Sequence, residues 1–418
     1  MKRIFVFAVL FFSISLMAQP HHKRTERQHT GPKPIYIESH IVPSDSFSIC
    51  YLSYKVPFSN LVFVKNGNTF NSGLIFRIEA TGEEGVLARE SSHDKVALNS
   101  YEETNRTDKY LEGLISFRLE HSSATINPII ELENTQRQVP LRPFIVEGDG
   151  YEPMVVKQEV NCEDSHGYSI INFENAIPFD DKNYQLLIPI YDADENVIKV
   201  KIMQEGKDVY TNGISKVSKL SIGLEKCGKN IVIKNTPANK SANIFILNDF
   251  SNLLSEGVFE LNILNEKDSV LYTNEMNVSW VDKPMSLMNS KFAYELLELM
   301  ESEDNLDRIY DEADGKYEKA IDLFWEKYDP DKNTKYNQLM HEFYSRADKA
   351  LREYSSRGER FGVITDRAKI YIKYGEPAEV DRYYSDKNEI TEIWKYQSPK
   401  VEFVFVDATG LGNYKLVN

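Results

Sequence analysis

The hydrophobic pattern of this 418-residue chain changes its period at Pro284, and this change constrains the fold more than any other feature. Upstream, short apolar runs recur at a spacing of roughly ten residues between turn signals, which is typical of antiparallel strands. Downstream, apolar residues recur every three or four positions, which indicates amphipathic helices. The sequence therefore predicts a multidomain chain, mainly β in its N-terminal half, followed by an α+β C-terminal domain.

The N-terminal half predicts two antiparallel β-sandwich, Ig-like domains, at residues 34–145 and 150–282. No helical pattern separates the predicted strands within either region. Asn66-Gly67 follows the run LVFVK and is a hairpin signal, because these residues readily take the positive φ of a two-residue turn. We find no residue-level repeat between the two regions.

One stretch of the second region approaches a phosphate-binding loop. Gly223 to Asn230 reads GLEKCGKN, close to the pattern GxxxxGK followed by Ser or Thr. That loop needs a hydroxyl for magnesium and a helix after it. Asn230 supplies no hydroxyl, and the next residues, Ile231 to Lys234, are β-like. We interpret the stretch as a turn between two strands.

Residues 284–418 predict one cooperative α+β domain in which helices pack on a small antiparallel sheet. The helical part, from Ser286 to about Ala350, has apolar stripes that include Met288, Phe292, Phe343 and Ala347. The predicted strands are Lys369–Tyr374, Val380–Tyr384, Ile390–Tyr396, Val401–Val406 and Tyr414–Val417. Trp394, Phe403 and Phe405 are the large side chains available to meet the helical stripes, so we expect a shared apolar interior.

The N-terminus has the pattern of an export signal. Lys2-Arg3 precedes an apolar run from Ile4 to Met17, which is short for a transmembrane helix and suits a signal peptide at residues 1–18. Residues 19–33 are polar and aperiodic, so we predict a flexible linker; His21, His22 and His29 there are not taken as a metal site. No later window predicts a transmembrane segment in the mature chain.

Charge and cysteine content narrow the function classes. The net charge of −15 argues against a nucleic-acid partner, because binding phosphates needs excess positive charge. The three cysteines form no metal-binding spacing, and no metal or other cofactor is expected. Cys162 and Cys227 fall in one predicted domain and are candidates for a disulfide, which an exported protein can form. Cys50 is expected to be a buried free thiol.

The stretch from Phe361 to Arg382 carries a family resemblance. It reads FGVITDRAKIYIKYGEPAEVDR, and it is followed by EIWKY, FVFVD and GLGNY. These motifs resemble the GWxTD domain family of bacterial envelope proteins, and the resemblance covers about a quarter of the chain well. Val363 stands where the family has its hallmark Trp. The resemblance implies a bacterial, Gram-negative source and a periplasmic, outer-membrane-associated or secreted location, but no particular reaction.

Candidate site residues cluster around this motif. The motif or binding candidates are Gly362, Thr365, Asp366, Arg367, Tyr371, Tyr374, Gly375, Pro377, Asp381, Trp394 and Asp407. Thr365 and Asp366 are expected to cap backbone N–H groups before the first strand, and Arg367 to pair with Asp366, Asp381 or Asp407. Tyr371, Tyr374, Tyr383 and Trp394 are hypothesised to floor a groove for a glycan or peptide.

The leading functional hypothesis is a non-enzymatic, exported interaction protein that binds another envelope protein or a cell-surface polymer. We find no GxSxG or HExxH motif and no Cys/His pair close enough to suggest a nucleophile with its base, and we assign no catalytic residue. The alternative is a hydrolase that acts on an envelope polymer through two carboxylates of the terminal domain. A third hypothesis, an assembly factor, requires an uncovered edge strand. Carboxylates tied to backbone N–H groups and arginine favour a binding role; two open to a cleft favour hydrolysis.

Overall fold

A computed structural model describes residues 34–119, 123–135, 137–147, 152–158, 162, 165–192, 195–354, 364–385 and 389–417. The predicted signal peptide and linker therefore lie outside the described residues, as do Gly362 and Val363 of the motif. The protein is mainly β, with several antiparallel sheets and a group of helices near the C-terminus. The Ig-like character of the β regions stays a prediction.

The first β region forms two sheets around one core. Its strands are β1 (Tyr36–Pro43), β2 (Ser48–Pro57), β3 (Val64–Asn66), β4 (Thr69–Gly82), β5 (Gly85–Leu98), β6 (Tyr110–Leu119), β7 (Ser123–Leu132), β8 (Arg137–Pro140) and β9 (Phe144–Glu147). One sheet has the order β1-β2-β6; the other has β3-β4-β7-β8, with β5 paired to β4 and β9 to β7. A short helix α1 (Tyr101–Thr104) and a 3₁₀ turn (Phe58–Asn60) also occur here.

Alternating burial explains how these two sheets enclose a core. Every second residue of β7 is buried, as expected of a strand with one face against the interior. Tyr54 of β2 and Phe76 of β4 are fully buried in the same cluster, so both sheets contribute to it. The predicted hairpin is confirmed, because Gly67 has φ +60° between β3 and β4.

The second β region combines a closed barrel with an open sheet. Its strands are β10 (Met154–Gln158), β11 (Ser165–Ile170), β12 (Ile177–Pro178), β13 (Gln185–Ile190), β14 (Val197–Gln204), β15 (Lys207–Ser215), β16 (Ser218–Cys227), β17 (Asn230–Asn235), β18 (Ser241–Leu247), β19 (Gly257–Leu264) and β20 (Val270–Ser279). The barrel has the order β10-β11-β17-β16-β18-β13, and the sheet has the order β12-β20-β19-β14-β15. Strands of the two assemblies therefore interleave along the chain.

The second β region agrees with two predictions and differs from a third. The stretch from Gly223 to Asn230, which approaches the phosphate-binding pattern, contains the turn between β16 and β17, as interpreted from the sequence, with Gly228 at φ +60°. A disulfide joins Cys162 to Cys227. The closed barrel differs from the open sandwich that the strand spacing suggested, because spacing alone does not reveal whether the first and last strands of a sheet meet.

The two β regions contact each other closely around β1 and β2. Val42 and Tyr51 belong to the same buried cluster as the barrel residues Ile222 and Ile231. The Lys55 ammonium of β2 donates a hydrogen bond of 2.7 Å to the carbonyl of Ile171. The first region therefore contributes side chains to the apolar cluster of the barrel as well as to its own core.

The C-terminal region has five helices and four strands among the described residues. They are α2 (Ser290–Glu295), α3 (Glu303–Glu312), α4 (Tyr317–Lys327), α5 (Gln338–Tyr354), α6 (Asp366–Tyr374), β21 (Glu379–Tyr384), β22 (Ile390–Gln397), β23 (Lys400–Asp407) and β24 (Lys415–Leu416), with 3₁₀ turns at Met285–Met288 and Leu296–Leu299. The strands form one antiparallel sheet in chain order. The sequence stripes did not single out α3, and Met288 of the first stripe is 70% exposed.

The strand predicted at Lys369–Tyr374 is wrong, because this segment forms helix α6. Ile370, Ile372 and Tyr374 do alternate, but the buried residues are Ala368, Tyr371 and Ile372. Their spacing of three and one is that of a helix face. Thr365 caps the N-terminus of α6, and Gly375 ends it with φ +79°.

The predicted shared interior of helices and sheet is confirmed. Trp394 and Phe405 of the sheet belong to one buried cluster with Phe343 and Ala347 of α5. Trp394 and Phe405 also contact each other edge to face, with ring centroids 4.9 Å apart. Burial of such large apolar side chains on both sides explains why the sheet and the helices form one packed unit.

An aromatic cluster joins this unit to the second β region. Phe179, Trp280 and Tyr336 have ring centroids 5.3 to 5.9 Å apart. His341 of α5 contacts Trp280 and pairs with Asp282, with Nε2 3.2 Å from Oδ2. Burial opposes protonation of His341, but the hydrogen bond and charge of Asp282 outweigh it and raise the pKa of the imidazole.

Candidate functional site

The motif residues Thr365 and Asp366 tie α6 to its neighbours. The Thr365 hydroxyl accepts the N–H of Ala368 at 3.2 Å and donates to the carbonyl of Tyr354 at 2.8 Å. Asp366 accepts the N–H of Leu416 in β24 at 3.0 Å. Both side chains do bond to backbone groups, but they do so at the start of a helix instead of a strand.

Arg367 pairs with Glu392, and the three partners predicted for it were wrong. The Arg367 Nη1 lies 3.1 Å from Glu392 Oε2, across α6 and β22. Its guanidinium also lies 3.7 Å from the ring centroid of Tyr414, the distance of a cation–π contact. The sequence could not identify this pair, because it depends on how α6 crosses the sheet.

Glu392 is the centre of a buried charge cluster. It is only 2% exposed, and its carboxylate accepts hydrogen bonds from Arg367, from Arg382 with Nε at 2.9 Å, and from the Trp394 indole at 3.3 Å. Burial raises the pKa of this carboxyl, but the hydrogen bond from Arg382 and the charge of Arg367 outweigh burial and hold the pKa below its ordinary value. Glu392 is therefore an ionised, fully engaged group.

Asp407 has a similar structural role in the loop after β23. It is fully buried and accepts the N–H of Thr409 at 3.1 Å, the Thr409 hydroxyl at 2.9 Å and the N–H of Gly412 at 2.5 Å. Burial opposes its ionisation, but these donors hold the pKa of the carboxyl below its usual range. An Asp that binds two backbone N–H groups fixes the loop and has little capacity left for a substrate.

The remaining candidate carboxylates are also paired. Asp381 lies 2.7 Å and Glu379 3.2 Å from the ammonium of Lys395. Glu376 lies 3.1 Å from the ammonium of Lys349. Within the described ranges, no group of three or more His, Cys, Asp and Glu residues is placed to hold a metal ion.

The hypothesised aromatic groove is wrong, because its members do not share a surface. Tyr371 and Trp394 are buried in the shared core. Tyr374 is half-buried against Tyr396 and Phe403, with ring centroids 5.6 and 5.0 Å away. Only Tyr383, on β21, is exposed.

Gly375 and Pro377 shape the exit from α6. Gly375 has φ +79° and ψ −154°, which is accessible almost only to glycine. A Cβ there would lie 3.3 Å from Cζ of Arg346. The Tyr396 hydroxyl donates to the Gly375 carbonyl at 2.9 Å, which fixes the turn on the sheet. Pro377, half-buried, follows just before β21.

Strand β21, predicted at Val380–Tyr384, forms an exposed edge of the sheet that the sequence did not reveal. Among the described strands it pairs only with β22, so its other edge has no strand partner there. Val380 lies opposite Trp394, and Tyr384 lies opposite Ile390, so both side chains are on the core-facing side of the sheet. Yet Val380 is 48% and Tyr384 70% exposed. The sequence shows that Val380 and Tyr384 alternate with Asp381 and Tyr383, but it does not show that their side chains are exposed.

The described helices give no candidate for a membrane span, since none combines the required length with sufficient apolar character.

Comparison with known proteins gives a family-model match to the C-terminal part of the chain. No curated protein matches the chain. A similar solved structure is the C-terminal domain of the Streptococcus pyogenes antigen I/II-family protein AspA, at 9% identity, covering 58% of this chain and 99% of that one. The TM-score of 0.16 is too low to carry an argument. The GWxTD domain family matches residues 264–418, which include the helices, the sheet and the tied carboxylates. The chain thus carries a GWxTD domain at residues 264–418.

Proposed function

We propose that this protein is an exported, non-enzymatic binding protein of a Gram-negative bacterial envelope, and that its GWxTD domain binds a partner protein along the open edge of β21. The observation that carries the proposal is the combination of an edge strand without a described partner and the exposed apolar side chains Val380 and Tyr384. An extended segment of another protein can add to such an edge through main-chain hydrogen bonds.

The side chains of β21 suit this mode of binding. Val380 and Tyr384 extend the core-facing side of the sheet beyond the helices that cover Trp394. A partner strand with alternating apolar residues would cover them while its backbone pairs with the edge. Tyr384 adds a large contact area with little conformational entropy to lose, as tyrosines commonly do at interfaces.

The state of the carboxylates supports binding over hydrolysis. A glycoside hydrolase needs two carboxyl groups that face a shared cleft, one as acid and one as base or nucleophile. Glu392 and Asp407 are buried, and Asp366 is engaged with the Leu416 backbone. Asp381 and Glu376 each pair with a lysine. These contacts favour a structural role for the charged motif residues.

Export is supported by the apolar N-terminal run after Lys2-Arg3 and by the Cys162–Cys227 disulfide, since disulfides persist in oxidising compartments. The proposal expects cleavage after Ala18. Cell fractionation followed by N-terminal sequencing tests it: a mature chain beginning at Gln19 in the envelope or medium is expected. An uncleaved chain in the cytosol would contradict export without bearing on the β21 surface.

Site-specific photocrosslinking in intact cells tests the binding surface. A benzophenone amino acid replaces Tyr384, and a matched protein carries it instead at Tyr101, which is 61% exposed on α1. The expected result is a protease-sensitive adduct of defined mass from position 384 and none from position 101. A protease-resistant adduct that a glycan hydrolase releases would contradict a protein partner and favour a surface polymer.

Substitution of the surface completes the test. Val380→Lys with Tyr384→Lys places charges on an exposed face and should abolish crosslinking from the neighbouring Tyr383 without unfolding the protein. The control variant carries Val258→Lys and Tyr101→Lys, at comparably exposed positions of the β regions. If the β21 variant keeps the adduct at the control level, the edge is not the binding surface.

A further inference from the structure

An apolar cavity opens between the helices of the GWxTD domain, and its lining includes Ile372 and Lys373 of the motif stretch. Its volume is about 360 Å³. The lining residues come from the turn after α2, from α4, from α5 and from the end of α6: Leu299, Met300, Trp325, Tyr328, Leu339, Glu342, Phe343, Arg346, Ile372 and Lys373. None of these belongs to the charge cluster of Glu392 or to β21, so the cavity is a separate feature.

The wall of the cavity is built for an apolar occupant. Leu339, Glu342, Phe343 and Arg346 lie at spacings of three, one and three, so they form one face of α5. Phe343 contacts Trp325 of α4, with ring centroids 5.4 Å apart. These two rings and Ile372 are buried and provide an apolar floor. A rigid aromatic floor between packed helices is a common setting for a small-molecule site.

The cavity is accessible from solvent. Met300 and Leu339 are both 44% exposed and lie among its lining residues. Methionine adapts its shape to different apolar partners, which suits the entrance of a ligand site. A volume of 360 Å³ is near the lower end of the range for ligand pockets, so the occupant is small.

The charged residues that line the cavity favour an occupant with an anionic head group. Glu342 and Arg346 pair with each other one helical turn apart, which neutralises both. Lys373 belongs to no ion pair among the residues that the structure describes. The lining therefore has an excess of one positive charge on a protein whose net charge is −15. A local cation against an acidic background attracts an anionic group.

We propose that this cavity binds a small aliphatic carboxylate, a free medium-chain fatty acid, with its chain against Trp325 and Phe343 and its carboxylate at Lys373. The apolar chain gains by leaving water, and the carboxylate stays at the solvent-exposed rim beside the lysine. This inference goes beyond the proposed binding of a partner protein at β21 and does not depend on it.

Binding of decanoate to the mature protein, below its micelle concentration, tests the proposal. Isothermal titration calorimetry compares decanoate with decylamine, which has a chain of the same length and the opposite charge. Methyl NMR on ¹³C-methyl methionine locates the site, since Met300 lines the cavity whereas Met285 and Met288 do not. We expect a shift of the Met300 resonance alone among these three, and affinity for decanoate at least about tenfold above that for decylamine.

Two variants separate the charge from the cavity. Lys373→Glu should weaken decanoate binding about tenfold, because it replaces an attraction by a repulsion at an exposed site. Lys369→Glu is the matched control, since it makes the same change on an exposed residue of α6 outside the cavity lining and should leave affinity within about twofold. Leu339→Asp, at a half-exposed position, should abolish the Met300 shift.

Three results would overturn the proposal. Equal affinity for decanoate and decylamine would show that Lys373 does not select the head group. Equal effects of Lys373→Glu and Lys369→Glu on decanoate affinity would show that Lys373 acts only through the overall charge of the protein and not by local contact with the carboxylate. Decanoate binding without a Met300 shift would place the ligand elsewhere on the protein. Circular dichroism of each variant checks that the helices remain folded.

Discussion

Replacing Glu392 by Gln is the most direct test of what the GWxTD motif does in this protein. Glu392 is buried beneath α6 and bonds to Arg367 of the motif, to Arg382 of β21 and to the Trp394 indole. The Gln side chain has nearly the same shape and can still accept hydrogen bonds. The substitution therefore removes the negative charge while it preserves the packing, and it leaves the Arg367 guanidinium without a countercharge.

The structure sets the size of the expected effect. Removing one partner of a buried ion pair typically costs about 3 to 5 kcal/mol, because the other charge stays desolvated. The Arg367 side chain is 13% exposed, whereas that of Arg382 is 49% exposed and can be hydrated. Only Arg367 therefore bears the full penalty, and we expect the lower end, about 3 kcal/mol of unfolding free energy for the terminal domain.

Urea unfolding followed by tryptophan emission measures this loss. Of the three tryptophans, Trp325 and Trp394 lie in the core of the terminal domain, and Trp280 lies at its junction with the β regions. With a slope of about 1 to 3 kcal/mol per M urea, a loss of about 3 kcal/mol moves the midpoint by roughly 1 to 3 M. Glu379→Gln is the control, since Glu379 is exposed on the same sheet and pairs only at the surface with Lys395; we expect a change within about 0.5 kcal/mol.

The reasoning is refuted if Glu392→Gln unfolds at the same urea concentration as Glu379→Gln. In that case the buried charges would contribute nothing net to stability, and the pairing of Glu392 with two arginines would need another explanation. Arg367→Met provides an independent check. It removes the other half of the pair and should also destabilise the domain, since Glu392 would keep only the partly exposed Arg382 as a countercharge.

Three further predictions follow from the same contacts. The folded-state pKa of Glu392 lies below its ordinary value of 4.5, so its contribution to stability is present above pH 4.5 and is lost as the pH falls through the folded-state pKa. The difference in unfolding free energy between wild type and Glu392→Gln should therefore disappear in urea titrations at acid pH. A difference that stays constant with pH would contradict this prediction. The pKa of His341 is raised above 6.5, so its pairing with Asp282 stabilises the junction below pH 6.5 and weakens as the pH rises through the folded-state pKa. In wild type, hydrogen exchange at residues 336–341, corrected for the intrinsic exchange rate, should therefore become faster at high pH. In His341→Gln the corrected exchange should depend less on pH. Gly375→Ala should cost about 1 to 3 kcal/mol in urea unfolding, because its backbone conformation excludes a Cβ, whereas Gly213→Ala, with ordinary φ and its nearest contact at 3.8 Å, should change stability by less than about 1 kcal/mol.

The division into a β part and a helical part was predictable, because it depends on period alone. Helices α4 and α5 and strands β21, β22 and β23 follow their apolar patterns closely. Helix α6 could not be predicted from its apolar pattern alone, because its nine residues fit both an alternating and a helical pattern. The start and stop signals resolve the choice: Thr365-Asp366 is a helix N-terminus and Gly375 a helix end. Those signals are present in the sequence and outweigh the alternation of Ile370, Ile372 and Tyr374.

The candidate site was less predictable, for a physical reason. Which carboxylate meets Arg367 depends on the crossing of α6 over β22 and on a register between residues 25 positions apart. Asp366, Asp381 and Asp407 were equally plausible from charge alone. The exposure of Val380 and Tyr384 depends in turn on where the helical layer ends above the sheet. Both are properties of packing between layers, which a single sequence does not encode in its local pattern.

The interleaved order of the barrel and the five-stranded sheet has a consequence for how the middle of this protein can be divided. Barrel strand β13 ends at Ile190, yet the barrel is incomplete until β18 ends at Leu247, and β14 and β15 of the other sheet are made in between. A fragment that ends after the last barrel strand therefore carries β14 without its neighbour β19 and β12 without its neighbour β20. Such strands expose open edges and invite aggregation. Limited proteolysis should accordingly yield either the intact region from β10 to β20 or small peptides, with no stable half-product.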